Sequence, residues 1–99
     1  MDYQVVLTPK AQGDLDAITE YIARDNPIAA VNFGRQLLDR AHSLGINPET
    51  GGKFQHRKGI RYTLHYPYLV LYRIYKTEQQ VEVLRFWHGS QNPKKLRLR

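Results

Sequence analysis

The chain has 99 residues, no cysteine and a formal charge of +6. That length suits one domain with one core and little more, and the missing thiols exclude disulfides and thiolate zinc sites. Its 41% hydrophobic and 24% charged content fits a soluble globular class, and no apolar run approaches the roughly 20 residues that cross a membrane.

Met1-Asp2-Tyr3-Gln4 lacks the basic region and apolar stretch of a signal peptide, so a cytoplasmic location without membrane contact is expected. Tyr3 to Thr8 reads as a first strand, with Tyr3, Val5 and Leu7 on one face. Thr8-Pro9 then starts a helix: the hydroxyl caps, and proline fits a first turn whose N–H has no partner anyway. Ala11, Leu15, Ile18 and Ile22 recur as one apolar stripe. Asp14, Asp16 and Glu20 lie on or beside the wet flank, Asp14 near the positive helix terminus.

The first helix is expected to stop near Arg24. Asn26-Pro27 repeats the start signal, and Ala30, Phe33, Leu37, Ala41 and Leu44 form the second stripe. Gly45 is expected to end that helix in the left-handed region, with Ile46 packing back on it. So short a link makes the two helices an antiparallel hairpin, and each stripe needs a sheet to bury it.

Asn47 to Gln55 reads as a loop broken by Asn47-Pro48 and Gly51-Gly52. Strands at about 58–65, 68–75 and 81–88 follow, joined by a tight turn at Tyr66-Pro67 and a second turn over Lys76 to Gln80, as an antiparallel meander. The basic tail from Pro93 to Arg99 is either frayed or docked by Leu96 and Leu98. The expected fold is α+β, in the order β-α-α-β-β-β, with a helical hairpin on one face of an antiparallel sheet.

Charge is unevenly spread. Residues 1–52 carry seven Asp/Glu against four Lys/Arg, whereas residues 53–99 carry eleven Lys/Arg against two Asp/Glu. An acidic partner for the second half follows, either nucleic acid or an acidic protein segment. Period-2 alternation puts Val70, Tyr72, Ile74, Leu84 and Phe86 under the helices, with Ile60, Tyr62 and Leu64. The open face then gathers Arg61, Thr63, His65, Leu69, Leu71, Arg73, Val83, Arg85 and Trp87. One bulge would flip any strand. Arg61, Arg73, Arg85 and Trp87 are the candidate partner-binding residues, since arginine and aromatic side chains dominate interface hot spots.

The ordered set Leu7-Thr8-Pro9-Lys10-Ala11, Asp14-Leu15, Tyr21-Ile22, Asp25-Asn26-Pro27, Gly59-Ile60-Arg61, Tyr66-Pro67-Tyr68-Leu69-Val70-Leu71-Tyr72-Arg73 and Val81-Glu82-Val83-Leu84-Arg85 with Trp87-His88-Gly89 resembles the ParE/RelE superfamily of bacterial toxins. It is nearer the ParE branch, whose members are often labelled plasmid stabilisation proteins. The resemblance implies a toxin of a type II toxin–antitoxin system, held in an oligomer by a cognate antitoxin. It implies two alternative activities. ParE-like members are described as inhibitors of DNA gyrase with no chemistry of their own. RelE-like members cut messenger RNA on the ribosome.

Cleavage through the 2′-hydroxyl needs a base, an acid and cations for the charged phosphorane. The resemblance offers Arg61 and Arg85 for the cations; His88, at the end of the last strand, is a candidate acid or base by residue type, because imidazole titrates near neutrality. His56, His65, Lys53 and Lys58 are further candidates. Against cleavage, Gly89-Ser90-Gln91-Asn92-Pro93 lacks the tyrosine that many RNA-cutting relatives keep after the last strand. The bland alternatives are a cross-strand or antitoxin contact for the arginines and a strand-end hydrogen bond for His88. No metal site or cofactor is expected: the four histidines show no i, i+4 pairing and no phosphate loop appears. Three readings remain: gyrase inhibitor, endoribonuclease, or a non-toxic antitoxin-binding module.

Overall fold

Two polar caps set both helices. Thr8 holds extended backbone, and its Oγ accepts the Ala11 N–H at 3.1 Å with Pro9 in the first turn; α1 runs Pro9–Ala23. Asn26 Oδ1 accepts the Ala29 N–H at 3.0 Å, and α2 runs Pro27–Ser43. The computed structural model describes residues 2–98; Met1 and Arg99, the last residue of the basic tail, lie outside the described residues. Among these residues no helix is long and apolar enough to cross a membrane.

The end of α2 differs from expectation. Gly45 is not left-handed; among the described residues the positive φ angles belong to Gly59 and Gln79. Its role is close approach. Gly45 O accepts the Tyr3 N–H at 2.7 Å, and a Cβ there would lie 2.5 Å from the Tyr3 carbonyl oxygen. Ile46 does not pack back; it is 75% exposed.

Five strands form one sheet in the order β1-β5-β4-β3-β2. They are β1 Gln4–Leu7, β2 Gly52–Lys53, β3 Arg61–His65, β4 Tyr68–Tyr75 and β5 Gln80–His88. β2 to β5 are antiparallel neighbours, and β1 adds in parallel to β5, Val5 opposite Val81. β2 lies inside the expected loop. Two residues are too few for a period-2 signal.

A bulge reassigns the faces. Leu71 pairs with Arg85 and Tyr72 with Val83, so Leu84 is the extra residue. Val81, Val83 and Phe86 therefore pack with Val70 and Tyr72 against Ala11, Leu15, Ile18, Leu37, Ala41 and Leu44. Leu84 belongs to the other face, contrary to simple alternation. β3 is also inverted relative to expectation. Tyr62 pairs with Leu71, away from the helices, while Arg61 pairs with Tyr72 and His65 with Tyr68. His65 accordingly packs its ring 5.3 Å from that of Phe33 on α2.

The face expected to be open is a second core. Phe54, Ile60, Leu71, Leu84, Trp87 and Leu96 are buried together, joined by Tyr62, Leu69 and Leu98. The tail is docked: Leu96 is 1% exposed, and burying such a side chain is worth about 1.5–3 kcal/mol. Arg57 Nη2 fastens the tail by donating to Leu96 O at 2.7 Å.

Candidate functional site

Arg61 stands at the start of β3 and holds the preceding loop. Its Nη2 donates to Gly51 O at 2.6 Å and to Glu49 O at 3.0 Å. The buried Tyr72 hydroxyl holds the same loop, donating to Pro48 O at 2.7 Å and accepting the Gly51 N–H at 3.1 Å. Gly51 is glycine because a Cβ would run into the Tyr62 carbonyl and the Tyr72 hydroxyl.

Arg85 is committed to Asp14. Its Nε donates to Oδ2 at 2.6 Å and its Nη2 to Oδ1 at 2.8 Å, with both side chains under 20% exposed. This is the two-point guanidinium–carboxylate geometry. Oδ2 also accepts the Phe86 N–H at 3.1 Å. The β1 ladder ends at Val83, so this carboxylate takes the acceptor place that a neighbouring strand would fill. Arg85 also donates to Arg97 O and lies 5.2 Å from the centre of the Trp87 ring.

Trp87 is 5% exposed, so it offers no free anchor to a partner. Its Nε1 has no hydrogen-bond partner among the described residues. Arg73, half-buried opposite Glu82, makes no ion pair or hydrogen bond through its side chain among the described residues; Glu82 instead accepts from the Tyr75 hydroxyl at 3.1 Å.

His88 ends β5. Its Nδ1 accepts the Ser90 N–H at 3.1 Å and lies 2.7 Å from Ser90 Oγ. The ring meets Tyr68 edge-on at 5.1 Å. Burial, and next the neighbouring Tyr21, push the Tyr68 phenol above its ordinary pKa. His88, Arg85, Tyr68, Tyr21, Ser90 and Gln91 line one open cavity of ≈ 400 Å³.

The expected group is therefore split. Arg85 and His88 share a cavity. Arg61 lies two strands away, roughly 10 Å at ordinary strand spacing, and on the opposite face. Arg73 lines a different cavity with Arg57 and Arg97. Asp14, Tyr68 and Arg57 are not among the candidate site residues that the sequence offers. The one available signal was that an arginine inside an apolar strand needs a counter-charge, and the first half of the chain supplies carboxylates. Among the described residues no group of three or more His, Asp or Glu side chains is placed to hold a metal ion.

A sequence profile of the family described as ParE toxin of type II toxin-antitoxin system, parDE, matches residues 5–93. Comparison with curated proteins gives no match. Among solved structures, a chain of the chromosomal ParDE TA system from P. aeruginosa superposes with a TM-score of 0.73 at 21% identity, covering 87% of this chain and 95% of that one. A chain of the toxin-antitoxin complex RelBE2 from Mycobacterium tuberculosis gives 0.68 at 23% identity, covering 92% and 95%. At these identities the two structures speak to the fold.

Proposed function

The chain belongs to the ParE toxin family of type II toxin–antitoxin systems, and on that premise we propose that it arrests growth in the cytoplasm by binding and inhibiting DNA gyrase, without chemistry of its own. The observation that carries this reading is the commitment of its candidate catalytic cations. Arg61 holds the Glu49 and Gly51 carbonyls, and Arg85 is bound through two points to Asp14. Cations spent on internal acceptors have little left for a phosphorane. Purified toxin is expected to block gyrase supercoiling and to leave messenger RNA intact in a translating extract. Unimpaired supercoiling at saturating toxin would sink the proposal.

One observation favours an endoribonuclease as the second reading. Arg85, His88 and Tyr68 share a cavity, so one cation and two side chains able to carry a proton line a single space. That reading requires cut messenger RNA in the same extract, lost in His88→Ala with the fold intact. Expression without growth arrest would instead favour the non-toxic module.

A cognate antitoxin belongs to this proposal. Both solved relatives are described as toxin–antitoxin assemblies, which supports one here. An apolar groove of ≈ 490 Å³ between α1 and α2, lined by Ala23, Ala30, Val31 and Leu38, suits an amphipathic helix. Val31 is 60% exposed and Ile28, beside it, 76%. An extended antitoxin segment across Arg61, Arg73 and Arg85 fits less well, since Arg61 lies on the opposite face and Leu96 already covers the face of Arg73 and Arg85.

A further inference from the structure

Two cationic cavities adjoin at Arg57, which lines both; the pair is termed the trough. The first, ≈ 610 Å³, adds Lys53, Lys58 and Arg61 over a floor of Phe54 and Ile60. The second, ≈ 670 Å³, adds Arg73 and Arg97, with Glu82 as its carboxylate. Arg57 and Arg61 are spent on backbone carbonyls. Lys53, Lys58, Arg73 and Arg97 make no side-chain hydrogen bond or ion pair among the described residues. Leaving Arg73 half-buried and unpaired is costly unless an anion completes it. Most carboxylates of the chain lie elsewhere, on the helical layer and its link: Asp14, Asp16, Glu20, Asp25 and Asp39.

We propose that this trough binds the phosphate backbone of duplex DNA, without sequence preference. Guanidinium groups match phosphate oxygens in two-point fashion, and a row of unpaired cations is what backbone binding uses. Single-stranded nucleic acid also wants exposed aromatic faces on which bases stack. Here Phe54 is 7% exposed, and the Tyr75 hydroxyl is tied to Glu82. An acidic peptide would want apolar footholds, but Ile60 on the floor is 2% exposed. The phosphodiester backbone asks for charge alone.

The test is fluorescence anisotropy of the full chain with a labelled duplex of mixed sequence. If each of the four free cations neutralises one phosphate, affinity falls about 150-fold between roughly 50 and 200 mM salt. In the double variant Arg73→Gln/Arg97→Gln the fall is about 12-fold over the same range. Arg40→Gln, exposed in the last turn of α2 and lining neither cavity, is expected to keep the full salt dependence of the parent. Circular dichroism confirms that each variant is folded. No binding at the lowest salt overturns the proposal. So does an unchanged salt dependence in the double variant, or a loss in Arg40→Gln as large as in the double variant. Tighter binding of an equal-length single-stranded RNA or of polyglutamate overturns the choice of duplex DNA. The assay contains no gyrase and no antitoxin, so its failure leaves the gyrase proposal standing.

Discussion

Asp14→Ala tests what holds the first helix on the sheet. The carboxylate accepts three hydrogen bonds, two from Arg85 and one from the Phe86 N–H. Removing it leaves the Arg85 side chain, 15% exposed, without its counter-charge. Breaking a buried pair from one side costs about 3–5 kcal/mol, and an orphaned buried N–H about 1–3 kcal/mol. Two contacts soften the loss, since Arg85 keeps the Arg97 carbonyl and the Trp87 ring. The pair also retains some exposure, which lowers the desolvation it must offset. We expect a net loss of about 2–4 kcal/mol in urea unfolding. For a domain of this length that is a fall in Tm of roughly 10–25 °C. Asp14→Asn keeps an oxygen for Phe86 and is expected to lose about half as much. A double-mutant cycle with Arg85→Met is expected to return a coupling above about 1 kcal/mol. A loss below about 1 kcal/mol for Asp14→Ala, or a coupling near zero, would refute the claim that this pair joins α1 to β5.

Gly51→Ala is expected to cost at least about 2 kcal/mol, because the new methyl meets the Tyr62 carbonyl and the Tyr72 hydroxyl together. Gly13→Ala, with nothing within 4 Å of the added carbon, is expected to gain about 0.5–1 kcal/mol in α1; urea midpoints moving the same way in both variants would contradict the packing. Leu96→Ala is expected to cost about 2–4 kcal/mol and to shift the emission of the lone tryptophan to the red as water reaches the second core. An unmoved emission would mean that the tail does not cover Trp87. The raised Tyr68 pKa carries a sign: the phenol ionises first in the unfolded chain, so its contribution is intact below the ordinary pKa of 10.0 and is lost as pH rises beyond it. Tyr68→Phe is therefore expected to lose less stability above that pH than the parent, and equal slopes would refute the assignment.

The local rules carried the helices and most of the strands. Thr8-Pro9 and Asn26-Pro27 start α1 and α2 where capping chemistry requires, because a cap depends only on residues within one turn. The strands at 68–75 and 80–88 follow from runs that are apolar on both faces. The faces themselves were not legible in full. A bulge at Leu84 shifts the period by one residue, and no propensity marks it. The inversion of β3 followed the same blindness, since Arg61 and Tyr62 suit either side of a pleated edge. The second core was missed because its cover comes from far along the chain, Phe54 on one side and Leu96 on the other. At the candidate site, Arg85 and His88 were visible as residue types, whereas Asp14, 71 residues away from Arg85, was visible only as a wet flank of a helix.

The parallel seam between β1 and β5 sets an order of assembly. Gln4 to Leu7 lie beside Gln80 to Val83, and Thr8 is tied to the same strand through Val83 O and Leu84 O, 76 residues away in the second bond. The helical hairpin is made early in translation, but its apolar stripes have no finished sheet to lie on until the last strand emerges. Contacts of such sequence separation form slowly. A nascent chain thus lacks the strand that joins β1 to the rest of its sheet through most of its synthesis, and a fragment that ends before β5 leaves the apolar stripes of both helices without full cover.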